Sequence, residues 1–133
     1  MSIVKAISSP AGIGLIALAM ASATSVAQTY SFTEVAKHVG ETGTVCGTVV
    51  DSTVSKYGVG GRGKPVSFQM DKPEPDTPFF FVAWADKSAS IDDFRATYKD
   101  KKVCVTGKIG LFNSIPYILT TDNTQIKIES SAK

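Results

Sequence analysis

Hydrophobic and polar residues alternate most clearly at Val66, Phe68 and Met70, which occupy every second position with polar side chains between them. A period of two is typical of a β-strand with one buried face. Other segments rich in β-branched and aromatic residues predict further strands at 42–54, 79–85, 102–112, 117–121 and 125–128. The pattern therefore predicts an all-β domain in which helices are short.

Two segments repeat their apolar residues at helical spacing instead. Residues 29–39 place their apolar side chains on one helical face, and Gly40 ends the segment. Residues 91–98 follow Ser90, which is suited to cap a helix, and begin with acidic residues that favour the first turn. The sequence therefore predicts an N-terminal helix and a second short helix between the third and fourth strands.

The predicted order of elements favours one architecture. Five strands with a helix between the third and the fourth is the order of the OB-fold, a small five-stranded Greek-key barrel. Gly47 and Gly107 interrupt the first and fourth strands, and a glycine inside a strand often marks a bulge or a bend. A bent first strand fits an OB-fold because it serves both halves of the barrel. A β-sandwich is the alternative, although five strands are few for it.

The first 27 residues have the pattern of a secretory signal peptide. Lys5 is their one charge, the apolar stretch covers 11–21, and Ala27 ends a segment of small residues that suits cleavage. This stretch is shorter than the roughly 20 residues that span a bilayer. The sequence predicts a signal peptide at 1–27 and an OB-fold domain at 28–133, which is periplasmic or secreted in a bacterium and has no membrane attachment after cleavage.

The two cysteines of the chain, Cys46 and Cys104, lie in the predicted first and fourth strands. These strands are neighbours in an OB-fold, and exported proteins meet an oxidising compartment. One Cys46–Cys104 disulfide is therefore expected. The alternative is a pair of buried free thiols on adjacent strands.

Five segments carry a resemblance to a known family: FTEVAKHVG at 32–40, TVCGTV at 44–49, DKP at 71–73, FFFVAW at 79–84 and KVCVTGKI at 102–109. Together they resemble the secreted bacterial OB-fold domains of the anticodon-binding type. Such domains also occur as accessory modules in extracellular, sugar-nonspecific nucleases. The resemblance covers nearly the whole mature chain, and it implies an OB-fold that binds nucleic acid.

The candidate nucleic-acid-binding residues are basic or aromatic. The loop at 55–65 joins the first two strands, a position that lines the oligonucleotide groove of many OB-folds, and it contains no acidic residue between Lys56, Tyr57, Arg62 and Lys64. Cations would meet phosphates there, and aromatic rings would stack on bases. The further stacking candidates are Phe80 and Trp84, which share one phase of the third strand, and Phe112 and Tyr117, which flank the turn between the fourth and fifth strands. The alternatives are a solvated loop and aromatic residues that belong to the core.

Catalytic and cofactor motifs are weak. The segment at 58–64 resembles a phosphate-binding loop, but Pro65 stands where that loop needs Ser or Thr, and a strand follows instead of a helix. His38 is the one histidine of the chain, so neither a histidine pair nor a zinc site is expected. We therefore expect no enzymatic activity, no cofactor and no metal, and nuclease activity is the least favoured hypothesis.

The balance of charge leaves a second function open. The chain carries 14 Lys and Arg against 12 Asp and Glu, and removal of Lys5 brings the mature protein closer to neutrality. No overall field would attract a polyanion. The predicted partner is single-stranded nucleic acid, bound through a local patch. The alternative is a periplasmic OB-fold protein that binds a small molecule, a cation or a protein partner that the sequence does not identify.

Overall fold

The computed structural model describes residues 27–58, 60–86 and 89–131. The predicted signal peptide, apart from Ala27, lies outside the described residues. None of the helices in these ranges has the length and hydrophobicity needed to cross a bilayer.

The described residues are mainly strand, as expected for an all-β protein. One α-helix, α1, covers Ile91–Tyr98, and two 3-10 helices cover Val35–His38 and Asn123–Gln125. The described residues form seven strands, whereas the sequence predicted a five-stranded barrel. They are β1 (Gln28–Tyr30), β2 (Thr42–Val54), β3 (Val66–Met70), β4 (Phe79–Ala83), β5 (Lys101–Phe112), β6 (Ile115–Leu119) and β7 (Ile126–Ser131).

The strand pairings form a closed circuit. The first half of β2 pairs with β5 and its second half pairs with β3, both antiparallel. β3 pairs with β4, β4 runs parallel to β6, and β6 returns to pair with the end of β5. Five strands are thus hydrogen bonded in the ring β2-β3-β4-β6-β5. The two additional strands extend it at the edges, β1 alongside β2 and β7 alongside β5.

The bend in β2 does not coincide with its glycine. The register with β3 shifts between Val49 and Asp51, at the point where β2 changes partner. Gly47 instead makes room for an aromatic ring, because a Cβ atom there would collide with the Phe32 side chain. The predicted bend is therefore present in the first strand of the ring, but its cause lies a few residues later.

The interior of the ring is filled by aliphatic and aromatic side chains. Phe68 is fully buried, and the rings of Phe94 and Tyr98 from α1 pack edge-on against it at centroid distances of 5.5 and 5.2 Å. The Asp93 N–H donates a hydrogen bond of 3.0 Å to the Ser90 hydroxyl. The predicted short helix and its cap are confirmed, and this helix closes one end of the core.

The predicted N-terminal helix at 29–39 is wrong. The segment begins as β1, which pairs in parallel with β2, and continues through a tight turn into a 3-10 helix. The Ser31 carbonyl accepts hydrogen bonds from the N–H groups of Glu34 and Val35 at 3.1 and 3.0 Å. An isolated helix of this length is marginal in water. Sheet pairing of β1 and burial of Val35 therefore determine the conformation, rather than helical spacing.

The expected disulfide is present. Cys46 and Cys104 are direct partners in the β2–β5 register, and their sulfur atoms are bonded. No free cysteine occurs in the described part of the chain. The bridge joins residues 58 positions apart, which in the chain-entropy model stabilises the fold by about 4 kcal/mol. It fastens β2 to β5, the two longest strands of the ring.

Candidate binding groove

The burial of β4 decides which of its two faces points outward. Phe79, Phe81 and Ala83 are fully buried in the core. Because successive side chains of a strand point to opposite faces, Phe80 and Val82 lie on the outer face of the ring. The sequence left this choice of phase open.

The neighbouring strand β6 presents aromatic and aliphatic side chains on the same outer face. Its residue Ile118 is buried, so Tyr117 and Leu119 point outward. The parallel register pairs Phe80 with Tyr117 and Val82 with Leu119. Two adjacent strands therefore contribute a continuous apolar surface outside the core.

Three aromatic rings form the centre of this surface, and we refer to Phe80, Phe112 and Tyr117 as the aromatic trio. Phe80 and Tyr117 stack with 5.1 Å between centroids and 9° between ring planes. Phe112 meets Phe80 edge-on at 6.4 Å and remains 58% exposed. A Cβ atom at Gly110 would lie 2.8 Å from the Tyr117 ring, so this position in β5 leaves the ring its place.

The aromatic trio lines an open groove of about 530 Å³. Aliphatic side chains of β4 and β6 and two prolines from flanking loops make its walls largely apolar. Its polar lining consists of Ser55, Ser67, Asn113 and Glu74. Among the described residues that line the groove, Glu74 alone carries a formal charge at neutral pH.

The loop at 55–65 leaves the ring at one end of the groove. The Ser55 N–H donates to the Pro65 carbonyl at 2.9 Å and closes the base of the loop, and both residues line the groove. Lys56 follows Ser55 directly and Lys64 precedes Pro65. Both lysines are exposed. Neither lines the groove itself, and Lys64 lines a separate hollow with Asp86. Tyr57, which is 77% exposed, lies in the same part of the loop.

Arg62 and Trp84 lie together but apart from the aromatic trio. The Arg62 guanidinium stands 4.3 Å from the centre of the Trp84 ring and donates to the Thr121 carbonyl at 3.2 Å. The Trp84 indole N–H donates to the Gly63 carbonyl at 3.2 Å, and the residue is only 7% exposed. Neither residue lines the groove. The contact attaches the loop to the turn that follows β6, and we call it the Arg62–Trp84 contact.

A carboxylate next to this contact has a shifted pKa. The Thr124 backbone N–H donates to the Asp122 carboxylate at 2.9 Å. This hydrogen bond is the main reason that the pKa of Asp122 lies below its ordinary value, and the Thr124 hydroxyl and the Arg62 charge lower it further. The carboxylate therefore stays ionised in moderately acidic solution.

Two polar residues near the groove were not among the candidates from sequence. Glu74 lies in the proline-rich turn between β3 and β4, and only the fold brings this turn beside the aromatic trio. Gln69 faces outward from β3 by the alternation of the strand, next to Phe80 in the register. It is nevertheless 1% exposed, and neither atom of its amide has a hydrogen-bond partner among the described residues. The sequence contained no signal for this burial.

His38 belongs to a separate cluster near the N-terminal strand. Its ring stacks on Tyr30 at 3.9 Å, and its Nδ1 lies 3.0 Å from a carboxylate oxygen of Glu41. The Tyr30 hydroxyl donates to the other Glu41 oxygen at 2.9 Å. The arrangement fastens β1 to the start of β2. Within the described ranges, no group of three or more His, Cys, Asp or Glu side chains is placed to hold a metal ion.

The chain matches no protein-family model and no curated protein. Solved structures that are similar to it at low identity include the following two. One is a proposed aspartyl-tRNA synthetase from Leishmania major, with 10% identity over 89% of this chain and a TM-score of 0.48. The chain spans only 24% of that synthetase. The other is a proposed nucleic acid-binding lipoprotein from Klebsiella pneumoniae, with 20% identity, 78% of this chain and 92% of that chain covered, and a TM-score of 0.47. Scores below 0.5 carry no conclusion for this chain.

Proposed function

We propose that this protein is an exported OB-fold module that binds single-stranded nucleic acid and does not catalyse a reaction on it. The observation that carries the proposal is the position of the aromatic trio. In an OB-fold, oligonucleotides bind to the outer face of the second and third strands, between the loops that join strands one and two and strands four and five. If the ring starts at β2, that face is β3 and β4. The groove begins on this face, with Ser67 of β3 and Phe80 of β4, and continues onto β6.

Both loops that frame such a site are present at the groove. The loop at 55–65 joins the first two strands of the ring, and Ser55 and Pro65 at its base line the groove. The turn between β5 and β6 joins the fourth and fifth strands, and Asn113 from this turn also lines it. The pairing of β4 parallel to β6 gives the ring the strand order that an OB-fold requires.

In the proposed site, aromatic side chains would stack on bases and lysines would contact phosphates. Phe112 offers an exposed ring on which a base would stack, and Tyr117 would form the adjacent wall with Phe80. Stacking of this kind contributes about 1–3 kcal/mol for each base. Lys56 and Lys64 would contact phosphates at the loop end of the groove, and Tyr57 is exposed for a further stacking contact. Arg62 and Trp84, which the sequence placed among the binding residues, would support the loop instead.

Fluorescence anisotropy with labelled single-stranded oligonucleotides at low salt tests the proposal. We expect binding that weakens as salt rises, since phosphate contacts release counterions, and Phe112→Ala should weaken it by about tenfold. Leu111→Ala is the matched control, because Leu111 is similarly exposed at 53% but does not line the groove. Absence of binding at low salt and high protein concentration would overturn the proposal.

Two other parts of the proposal need their own measurements. A nuclease assay with added divalent cations should show no cleavage of the bound oligonucleotide. Expression of the full chain in a bacterium, followed by N-terminal sequencing of the exported product, should show cleavage after Ala27. Cleavage of nucleic acid, or retention of the intact chain in the cytoplasm, would contradict the corresponding statement.

A second candidate function is the binding of a small apolar molecule. It is favoured by the lining of the groove, in which apolar walls surround one carboxylate and no cation. A neutral solvatochromic dye should then gain fluorescence on binding and lose that gain in Phe112→Ala. If this occurs in a protein that shows no affinity for oligonucleotides, the small-molecule function replaces the first proposal.

A further inference from the structure

We propose that Glu74 makes the groove selective for bases with an exocyclic amino group, so that cytosine binds more tightly than uracil. This inference rests on the proposed function of the same site. The Glu74 side chain reaches the groove from the turn between β3 and β4, and it forms no salt bridge with a described lysine or arginine. Its carboxylate therefore remains available to a ligand.

The chemistry of a carboxylate sets the direction of the preference. An ionised carboxylate accepts hydrogen bonds and donates none. Cytosine presents an amino donor at the position where uracil presents a carbonyl oxygen, and acidic side chains pair with this cytosine amino group. Against uracil, the Glu74 oxygens would face another acceptor. The two pyrimidines have rings of the same size, so stacking on the aromatic trio would differ little between them.

The other polar groups of the groove do not make this distinction. Ser55 and Ser67 have hydroxyl groups, and Asn113 has an amide. Each of these donates as well as accepts, so it tolerates either pyrimidine. Glu74 is the acceptor-only group, and the discrimination is assigned to it for that reason.

The apolar walls strengthen the effect. A base that fills the groove would displace water from the Glu74 carboxylate. Glu74 is exposed in the free protein, so the carboxylate keeps part of its water. A cytosine amino group replaces a hydrogen bond that is lost, whereas uracil replaces none and binds less tightly for that reason. Sites built to hydrogen bond one substrate reject the analogue that lacks the matching group on the same principle.

Charge also fixes the direction in which a bound nucleic-acid strand would lie. The Glu74 carboxylate repels phosphate, and Lys56 and Lys64 at the loop end attract it. The backbone would therefore follow the lysines, and the edges of the bases would point toward Glu74. This orientation presents the cytosine amino group to the carboxylate.

The test compares equal-length cytidine and uridine oligoribonucleotides by fluorescence anisotropy at neutral pH and low salt. The protein should bind the cytidine oligomer about tenfold more tightly. In Glu74→Gln the ratio should fall close to one, because the amide both donates and accepts. Asp76→Asn is the matched control. It removes one negative charge from the same turn at an exposed residue that does not line the groove, so the preference should persist.

The outcomes separate this inference from the function on which it rests. Equal affinity of the unmodified protein for both oligomers overturns the inference and leaves nucleic-acid binding intact. A full preference in Glu74→Gln, or its loss in Asp76→Asn, overturns the assignment to Glu74. Binding of neither oligomer overturns both the inference and the proposed function.

Discussion

The groove and the Arg62–Trp84 contact both combine aromatic rings with polar groups of the same loop, but they differ in what covers the rings. At the contact, the guanidinium lies over the indole, and Trp84 is 7% exposed. In the groove, Phe112 is 58% exposed, and no described lysine or arginine is among the lining residues. The first arrangement covers the indole and suits a structural role. The second leaves aromatic surface open to a ligand.

The comparison shows that the kinds of residue do not by themselves define a binding site. Arg62 and Trp84 are residues of the types that contact phosphates and stack on bases. Their mutual contact covers the indole with the guanidinium, and one guanidinium N–H donates to the Thr121 carbonyl. Phe112 has a better claim to a stacking role because more than half of it, 58%, is exposed.

Replacement of the indole should produce the largest effect and tests the structural side of the comparison. Trp84→Ala removes a buried aromatic side chain and should lower the free energy of unfolding by about 3 kcal/mol, as measured by urea denaturation. Trp84→Phe keeps part of the buried ring and should lose less. Oligonucleotide affinity, corrected for the folded fraction, should change little. A variant that keeps full stability but loses binding would reverse the roles assigned to the two regions.

The next largest effect is expected from Gln69, which lies on the groove face of the ring. Its buried amide has no partner among the described residues, and such a group costs about 1–3 kcal/mol. Gln69→Met keeps a similar volume and should raise the free energy of unfolding by about 1 kcal/mol in urea denaturation. Ser67→Ala, at the preceding outward position of the same strand, serves as the comparison. A clear loss of stability in Gln69→Met would show that the amide makes a compensating interaction.

Acidification should have the smallest effect on stability. It tests the carboxylate of Asp122, which lies next to the Arg62–Trp84 contact and not in the groove. The folded pKa of Asp122 is below its ordinary value because the Thr124 backbone N–H, and to a lesser degree Arg62, favour the ionised form. A carboxylate of this kind stabilises the fold above its unfolded pKa, near 4, and the stabilisation is lost as pH falls through the lower folded value.

The corresponding measurement is the melting temperature as a function of pH. It should decline slightly below about pH 4, and the decline should be shallower in Asp122→Asn. Glu41→Gln is a useful second variant, because the pKa of Glu41 is also lowered, mainly by its hydrogen bond with His38. An identical acid profile for the Asp122 variant and the parent protein would exclude a contribution from Asp122.

Local patterns predicted much of the fold correctly. The alternation around Phe68 correctly predicted β3 and its buried face, and the Ser90 cap correctly predicted the start of α1. Even the Cys46–Cys104 pairing followed from the order of elements. Each of these features depends on residues close in sequence, or on a strand order that short segments already specify.

The features that the sequence did not predict depend on distant partners. Residues 29–39 have helical spacing, but pairing with β2 makes their first residues a strand. Residues 79–84 are apolar at every position, so their pattern does not show which face of β4 enters the core. The packing of Phe79 and Phe81 in the core determines that face. Glu74 and the aromatic trio come from different elements, so only their packing in the fold shows that they share a groove.

The glycine under Tyr117 gives the groove a simple means of adjustment. Gly110 has no Cβ atom, and this leaves room for the Tyr117 ring. A methyl group at position 110 would push that ring away, and the Phe80 ring that stacks on it would have to adjust as well. The width of the slot would then change although no ligand-facing side chain had been replaced. Alanine and serine at this position are therefore a route to narrower or differently shaped pockets on an unchanged scaffold.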